Sequence, residues 1–140
     1  AHKLEFLARI ERYFAERAAE NAPLVLVGDF NIAPDDRDVY DPEAWHERIL
    51  CSTPEREALQ KIMGLGLTDT FRQFDQQESS YSWWDYRGGG WQKDHGMRID
   101  HLLLSPQAAD RLNNAGIDRA VRGAEKPSDH APGWCELSGG

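Results

Sequence analysis

Long apolar runs are missing from this chain of 140 residues, and with them any segment able to span a bilayer; no signal-peptide pattern is present either. Cysteine is scarce. Cys51 and Cys135 stand alone, which excludes a disulfide scaffold or a cysteine-rich zinc site and points to a reducing compartment. The expectation is a soluble, cytoplasmic protein with no membrane partner. Repeats and low-complexity tracts are absent. So are the Gly-x-Ser-x-Gly elbow, the P-loop and a His-x-x-x-His zinc pair, and Ser128 beside His130 makes no triad.

Basic residues are outnumbered. The formal net charge of -8 argues at face value against a polyanionic partner. The deficit is uneven, however. Residues 1–79 hold 9 Lys/Arg against 16 Asp/Glu, whereas residues 80–130 hold 7 of each. Some of the acids are also candidate metal ligands, whose charge a bound cation offsets.

The length suits one domain with a real core. Leu4, Leu7, Ile10, Phe14 and Ala18 recur at helical spacing and predict an opening amphipathic helix, stopped by "ENAP" with Pro23. Leu24 to Val27 reads as a short strand, apolar on both faces. Residues 32–54 read as an irregular loop. A second helix is predicted from about Pro54 to Leu65, with Ala58, Leu59, Ile62 and Met63 buried and Gly64 and Gly66 at its end. "YSWW" at 81–84 is strand-like, "YRGGGWQKDHG" is a loop with glycine hinges, and "MRIDHLLLS" at 97–105 is the strongest strand. A short helix after Pro106 and strands near 116–121 and 131–137 complete an α/β domain.

The polar residues gather at strand ends. "LVGDFN" at 26–31 closes an apolar run with Asp29 and Asn31, which in an extended chain point the same way. Arg98 and Asp100 repeat that spacing, and Asp129 and His130 stand just before another strand. Carboxylate and amide oxygens suit Mg2+ or Mn2+, which in turn neutralises phosphate. A carboxylate can deprotonate a water and an imidazole can donate to a developing oxyanion, so the set fits metal-assisted phosphate-ester hydrolysis. Taken singly, each element has a plainer reading. "GDFN" is also a tight turn, "SDH" a cap, Asp100 a partner for Arg98, and the aromatics of 81–86 a piece of core.

In this order, "GDFN", "SWWDYR", "MRIDHLLLS" and "EKPSDHAP" resemble the exonuclease III family of DNA-repair nucleases, within the endonuclease/exonuclease/phosphatase superfamily. "DRDVYDPEAW" is similar to its bacterial branch. The resemblance implies a four-layered sandwich, two sheets with helices outside, of which this chain supplies the carboxy-terminal half as one mixed sheet with helices on its outer face. It implies a Mg2+- or Mn2+-dependent nuclease acting on double-stranded DNA at abasic sites and 3′ ends. Asp29 then matches the aspartate that orients or deprotonates the attacking water. Asn31 matches the asparagine that helps hold the phosphate and metal, and Asp129 a metal-ligand aspartate. His130 matches the catalytic, phosphate-contacting histidine, counted here with the metal ligands, and Asp100 the aspartate that hydrogen-bonds it. Trp83, Met97 and Ile99 match an apolar pocket for a base-free sugar, with Arg98 beside them. Arg87 and its glycine loop match a DNA-contacting segment.

The family's metal-ligand glutamate belongs to an amino-terminal half with no counterpart here, so the fragment alone is expected to be inactive. It is also expected to leave an apolar sheet face open, with Leu24, Leu26, Leu102 and Leu104 as candidate positions and a homodimer as one way to cover it. Two other readings remain: a superfamily phosphatase or phosphodiesterase acting on a small molecule or lipid, and a non-catalytic DNA-binding or interaction module.

Overall fold

The computed structural model of the protein describes residues 2–18, 23–74, 76, 80–123 and 128–139. The predicted "ENAP" stop, apart from Pro23, and the start of "EKPSDHAP" lie outside the described residues.

Two amphipathic helices build the main core. α1 (His2–Ala18) turns Leu7, Ile10 and Phe14 inward, and α3 (Thr53–Met63) turns Leu59 and Ile62 to meet them. α3 starts on a side-chain cap. The Ser52 hydroxyl accepts the Glu55 N–H at 3.4 Å and donates to the Glu55 carboxylate at 2.7 Å, and Pro54 fills the first turn. The Glu55 carboxylate is shared with Lys3 of α1, which locks the two helices at their amino ends.

Both helices pack on a three-stranded sheet ordered β1 (Val25–Asp29), β5 (Asp100–Leu104), β2 (Thr68–Asp69). β1 and β5 run antiparallel, from Val25 opposite Leu104 to Asp29 opposite Asp100. Leu24, Leu26 and Leu103 face the helices. Val25 and Val27 face away and are 49% and 57% exposed. The open positions are therefore the valines. Of the leucines expected there, Leu24 and Leu26 sit on the helix side, Leu104 is buried and Leu102 is half-buried.

The sheet is not the single mixed one expected. Among the described residues there are three small sheets, every pairing antiparallel. β3 (Trp83–Trp84) pairs with β4 (Gly96–Met97), and β6 (Leu112–Ile117) with β7 (Gly133–Leu137). The predicted strand 97–105 is thus cut: Met97 pairs with Trp83, and Asp100 starts a strand in another sheet. The cut coincides with Arg98, whose side chain is buried. Its Nε donates to Asp38 at 2.8 Å, and its two Nη groups fork onto Asp69 at 3.1 and 2.7 Å.

Other boundaries moved as well. Loop 32–54 contains a turn of helix at Asp36–Asp38 and α2 (Pro42–Trp45), capped by Asp41. A short helix, α4 (Pro106–Ala109), follows Pro106 as expected. The strand expected near 116–121 lies earlier, and residues 119–122 form α5 (Arg119–Arg122). There the guanidiniums of Arg119 and Arg122 lie 4.7 and 5.4 Å from the Trp91 ring centre, a packing that outweighs the strand preference of Val121. The glycine loop divides: Gly88 and Gly89 take φ +63° and +67° with room around them, whereas Gly90 and Gly96 are packed. A Cβ at Gly90 would meet the Asp85 carbonyl at 2.6 Å, and one at Gly96 the Trp84 ring at 2.6 Å.

Two ionisable groups in this interior set its acid sensitivity. Burial alone would raise the Asp69 carboxyl, but Arg98 holds it below its ordinary 3.8. Its stabilising share is present above 3.8 and lost as pH falls through the depressed value. His101 is buried and faces Arg98, which lowers its pKa below 6.5, so the unfolded chain takes up that proton first and stability declines as pH drops below 6.5. Replacing Arg98 with methionine, which keeps bulk but strands Asp69 and leaves Asp38 with Arg72 alone, is expected to cost about 3–5 kcal/mol in urea unfolding at neutral pH.

Candidate active site

The paired ends of β1 and β5 place two carboxylates side by side. Asp29 is the last residue of one strand, Asp100 the first of the other, and they are direct partners. Partners share a face, so both point to the side of Val25 and Val27, away from the helices. His101, one residue on, points the opposite way. Its ring is tilted against Phe30, and its Nε2 lies 2.8 Å from the Ile32 carbonyl.

Turn chemistry delivers Asp29. Gly28 has φ +150° and Asn31 φ +52°, the latter a left-handed conformation that asparagine tolerates. The Asn31 N–H donates to the Asp29 carboxylate at 2.9 Å, and Lys3 donates to the Asn31 carbonyl at 2.7 Å. The extended alternation expected for Asp29 and Asn31 therefore stops at Phe30. "GDFN" is a tight turn and also a presenter of Asp29.

His130 comes from a third segment. It bridges to Trp83, and the neighbouring Asp129 carbonyl accepts the Trp84 N–H at 3.0 Å. Its Nδ1 lies 2.8 Å from Asp100, while its Nε2 faces Asp29 at 3.6 Å and Asp129 at 3.8 Å. A proton on Nδ1 makes the Asp100 hydrogen bond and leaves Nε2 for chemistry. The hydrogen bond to Asp100 raises the His130 pKa above 6.5 despite partial burial, with the charges of Asp100, Asp29 and Asp129 adding to it. Burial raises the Asp29 pKa above 3.8, against the Asn31 N–H that lowers it.

Asp29, Asp100 and His130 each offer a ligand atom within 4.8 Å of the other two, a spacing that fits a divalent cation. The Asp129 carboxylate is also held by the Trp83 Nε1–H at 3.1 Å. Asp29, Asp100, Asp129 and His130 are thus brought together as expected, with Asn31 joined through its backbone.

The expected substrate-binding residues divide. Trp83 is half-buried beside the cluster. Met97 and Ile99 are 0% and 2% exposed and lie in a closed core with Ala33, Val39 and Cys51. The Arg87 side chain is 89% exposed and forks onto Asp85 at 2.8 and 3.1 Å. Arg98 is corrected outright. It is 1% exposed and fully engaged by Asp38 and Asp69, so it anchors the interior and does not pair with Asp100. Sequence reading missed those partners, and it missed Ser82, whose hydroxyl oxygen accepts the N–H groups of Ile99 and Asp100. The one available signal was an arginine inside an apolar strand, which demands a buried acid somewhere.

Residues 1–130 match the family described as Endonuclease/Exonuclease/phosphatase. Exodeoxyribonuclease III of Haemophilus influenzae is 37% identical over 142 residues, covering 96% of this chain and 53% of that protein. Among solved structures, the 3′ phosphatase NExo from Neisseria, bound to a product DNA hairpin, superposes with a TM-score of 0.91 at 44% identity, over 96% of this chain and 52% of that one. An AP endonuclease from Archaeoglobus fulgidus gives 0.89 at 33% identity, over 97% and 53%. The chain spans about half the length of the relatives it matches.

Changing Asp100 to alanine removes both the hydrogen bond that is the main cause of the raised His130 pKa and the charge behind it. An NMR titration of the imidazole should then show its midpoint move down toward 6.5. The pair's stabilising share is fully present below 6.5 and disappears as pH rises through the raised value. The stability gap between wild type and variant should close over that range.

Proposed function

This chain belongs to the endonuclease/exonuclease/phosphatase family, and from that premise we propose that it forms the carboxy-terminal half of a DNA-repair nuclease domain. The full domain hydrolyses DNA phosphodiesters at abasic sites and 3′ ends. The observation that carries this reading is the imidazole of His130, held by Asp100 at 2.8 Å with its other nitrogen turned toward Asp29 and Asp129. The names of the relatives, an exodeoxyribonuclease III, a 3′ phosphatase bound to DNA and an AP endonuclease, supply the substrate class.

Each residue has a part in that chemistry. Asp29, made more basic by burial, accepts a proton from the attacking water. His130, whose pKa the hydrogen bond to Asp100 raises above 6.5, donates in its protonated form from Nε2 to a phosphoryl oxygen as charge builds there. Asp100 fixes the ring's tautomer and orientation. A divalent cation, Mg2+ or Mn2+, would supply Lewis acidity and neutralise phosphate charge, with Asp29, Asn31 and Asp129 as the residues to hold it while His130 is kept for the phosphate. Trp83 offers the open edge of the sugar pocket, backed by Met97 and Ile99. Arg87 exchanges Asp85 for a DNA phosphate.

The compartment proposed is the cytoplasm. Both cysteines are free, and no helix among the described residues is long and apolar enough to cross a membrane. Val25 and Val27 mark the place where a second copy would pair. Light scattering that returns the mass of one chain removes that pairing.

The decisive assay uses the full-length parent with Mg2+ and a duplex carrying one abasic site. Substituting His130 with alanine should lower the cleavage rate by about 10²–10⁴-fold. Undiminished cleavage by that variant, or none by the wild type, rules the assignment out.

A further inference from the structure

Ser82 is wholly buried, 0% exposed, and the hydrolysis proposed above makes no use of it. Its place in the scaffold is central. On one side its N–H donates to the Met97 carbonyl at 3.0 Å, and its hydroxyl oxygen accepts the N–H of Ile99 at 3.0 Å and of Asp100 at 3.2 Å. On the other side its carbonyl accepts the Ala131 N–H at 2.7 Å. The residues that follow continue the spacing: Trp83 bridges to His130, and the Trp84 N–H donates to the Asp129 carbonyl at 3.0 Å.

The chain crosses from one sheet to another between β4 and β5. The amides of Ile99 and Asp100 there meet a side-chain oxygen in place of a strand carbonyl. One hydroxyl oxygen has two lone pairs and can take both amides at once. Alanine would leave both buried and unpaired, and the backbone would shift to find other acceptors. The residue displaced first is Asp100, whose carboxylate must stay 2.8 Å from His130 Nδ1.

We infer that Ser82 is a positioning residue for the Asp100–His130 pair. Its oxygen fixes the backbone under Asp100, and its carbonyl sets the His130 segment at the matching distance. The inference rests on the reading of that pair as the working groups of the site.

Long-range 1H–15N NMR of the His130 ring, at a pH where the ring is neutral, reports which nitrogen carries the proton. Wild type and Ser82→Thr, which keeps the oxygen, should show the Nδ1–H form. Ser82→Ala and the near-isosteric Ser82→Cys should move toward the Nε2–H form, as Asp100→Ala should. In the full-length enzyme both should lower kcat by about 10- to 100-fold with KM little changed, and Ser82→Thr should restore it. Urea unfolding of each variant identifies those that keep the fold. If either folded variant retains the wild-type ring pattern, Ser82 is a packing residue and the inference is overturned; failure of threonine to restore Nδ1–H overturns it too. The ring signal needs no activity, so an inactive parent with the expected ring pattern would count against the nuclease reading and leave this one standing.

Discussion

The buried guanidinium of Arg98 is the constraint on which the rest of the site depends. A charge 1% exposed is tolerated only with its partners in place, and Asp38 and Asp69 supply them from two other parts of the chain. Meeting them turns the Arg98 side chain into the interior and breaks the strand that the apolar pattern would otherwise continue. Met97 stays with the aromatic strand at Trp83, whereas Asp100 opens a new ladder beside Asp29. The break gives the chain one carboxylate at a sheet end instead of one in the middle of a strand. The Arg98 N–H, donating to the Asp38 carbonyl at 2.9 Å, ties the same segment a second time.

Two of the three Asp-His dipeptides, at 100–101 and 129–130, meet opposite fates for a reason of period. In β5 successive side chains point to opposite faces, so Asp100 looks toward the site and His101 into the core. Burial and Arg98 lower the pKa of His101, which serves packing and a hydrogen bond to Ile32. At 129–130 the chain makes only a single bridge before β7, and there both side chains reach the same cluster. Asp100 then raises the pKa of one histidine, as burial lowers that of the other.

Much of this arrangement was legible in advance. The stripe of α1, the buried face of α3 with Pro54 in its first turn, the strand read at 24–27 and found at Val25–Asp29, and the convergence of Asp29, Asp100, Asp129 and His130 follow from local pattern and the ordered motifs. The sheet was less legible. One mixed sheet was expected where three antiparallel pieces stand, and a strand was expected where Arg119 and Arg122 pack as a helical turn on Trp91.

Sequence alone determined that α1 and α3 are helical, which strand ends carry acceptors and which residue types meet there. These features depend on neighbours within a turn or two, where period, capping and turn chemistry act. Tertiary structure alone decided that Arg98 belongs to Asp38 and Asp69, that Val25 and Val27 form the open set, and that Ser82 stands between Asp100 and His130. Each of these depends on partners brought together from distant positions. A buried charge or an unpaired amide announces that it needs a partner, but which one it finds is fixed only when the chain closes.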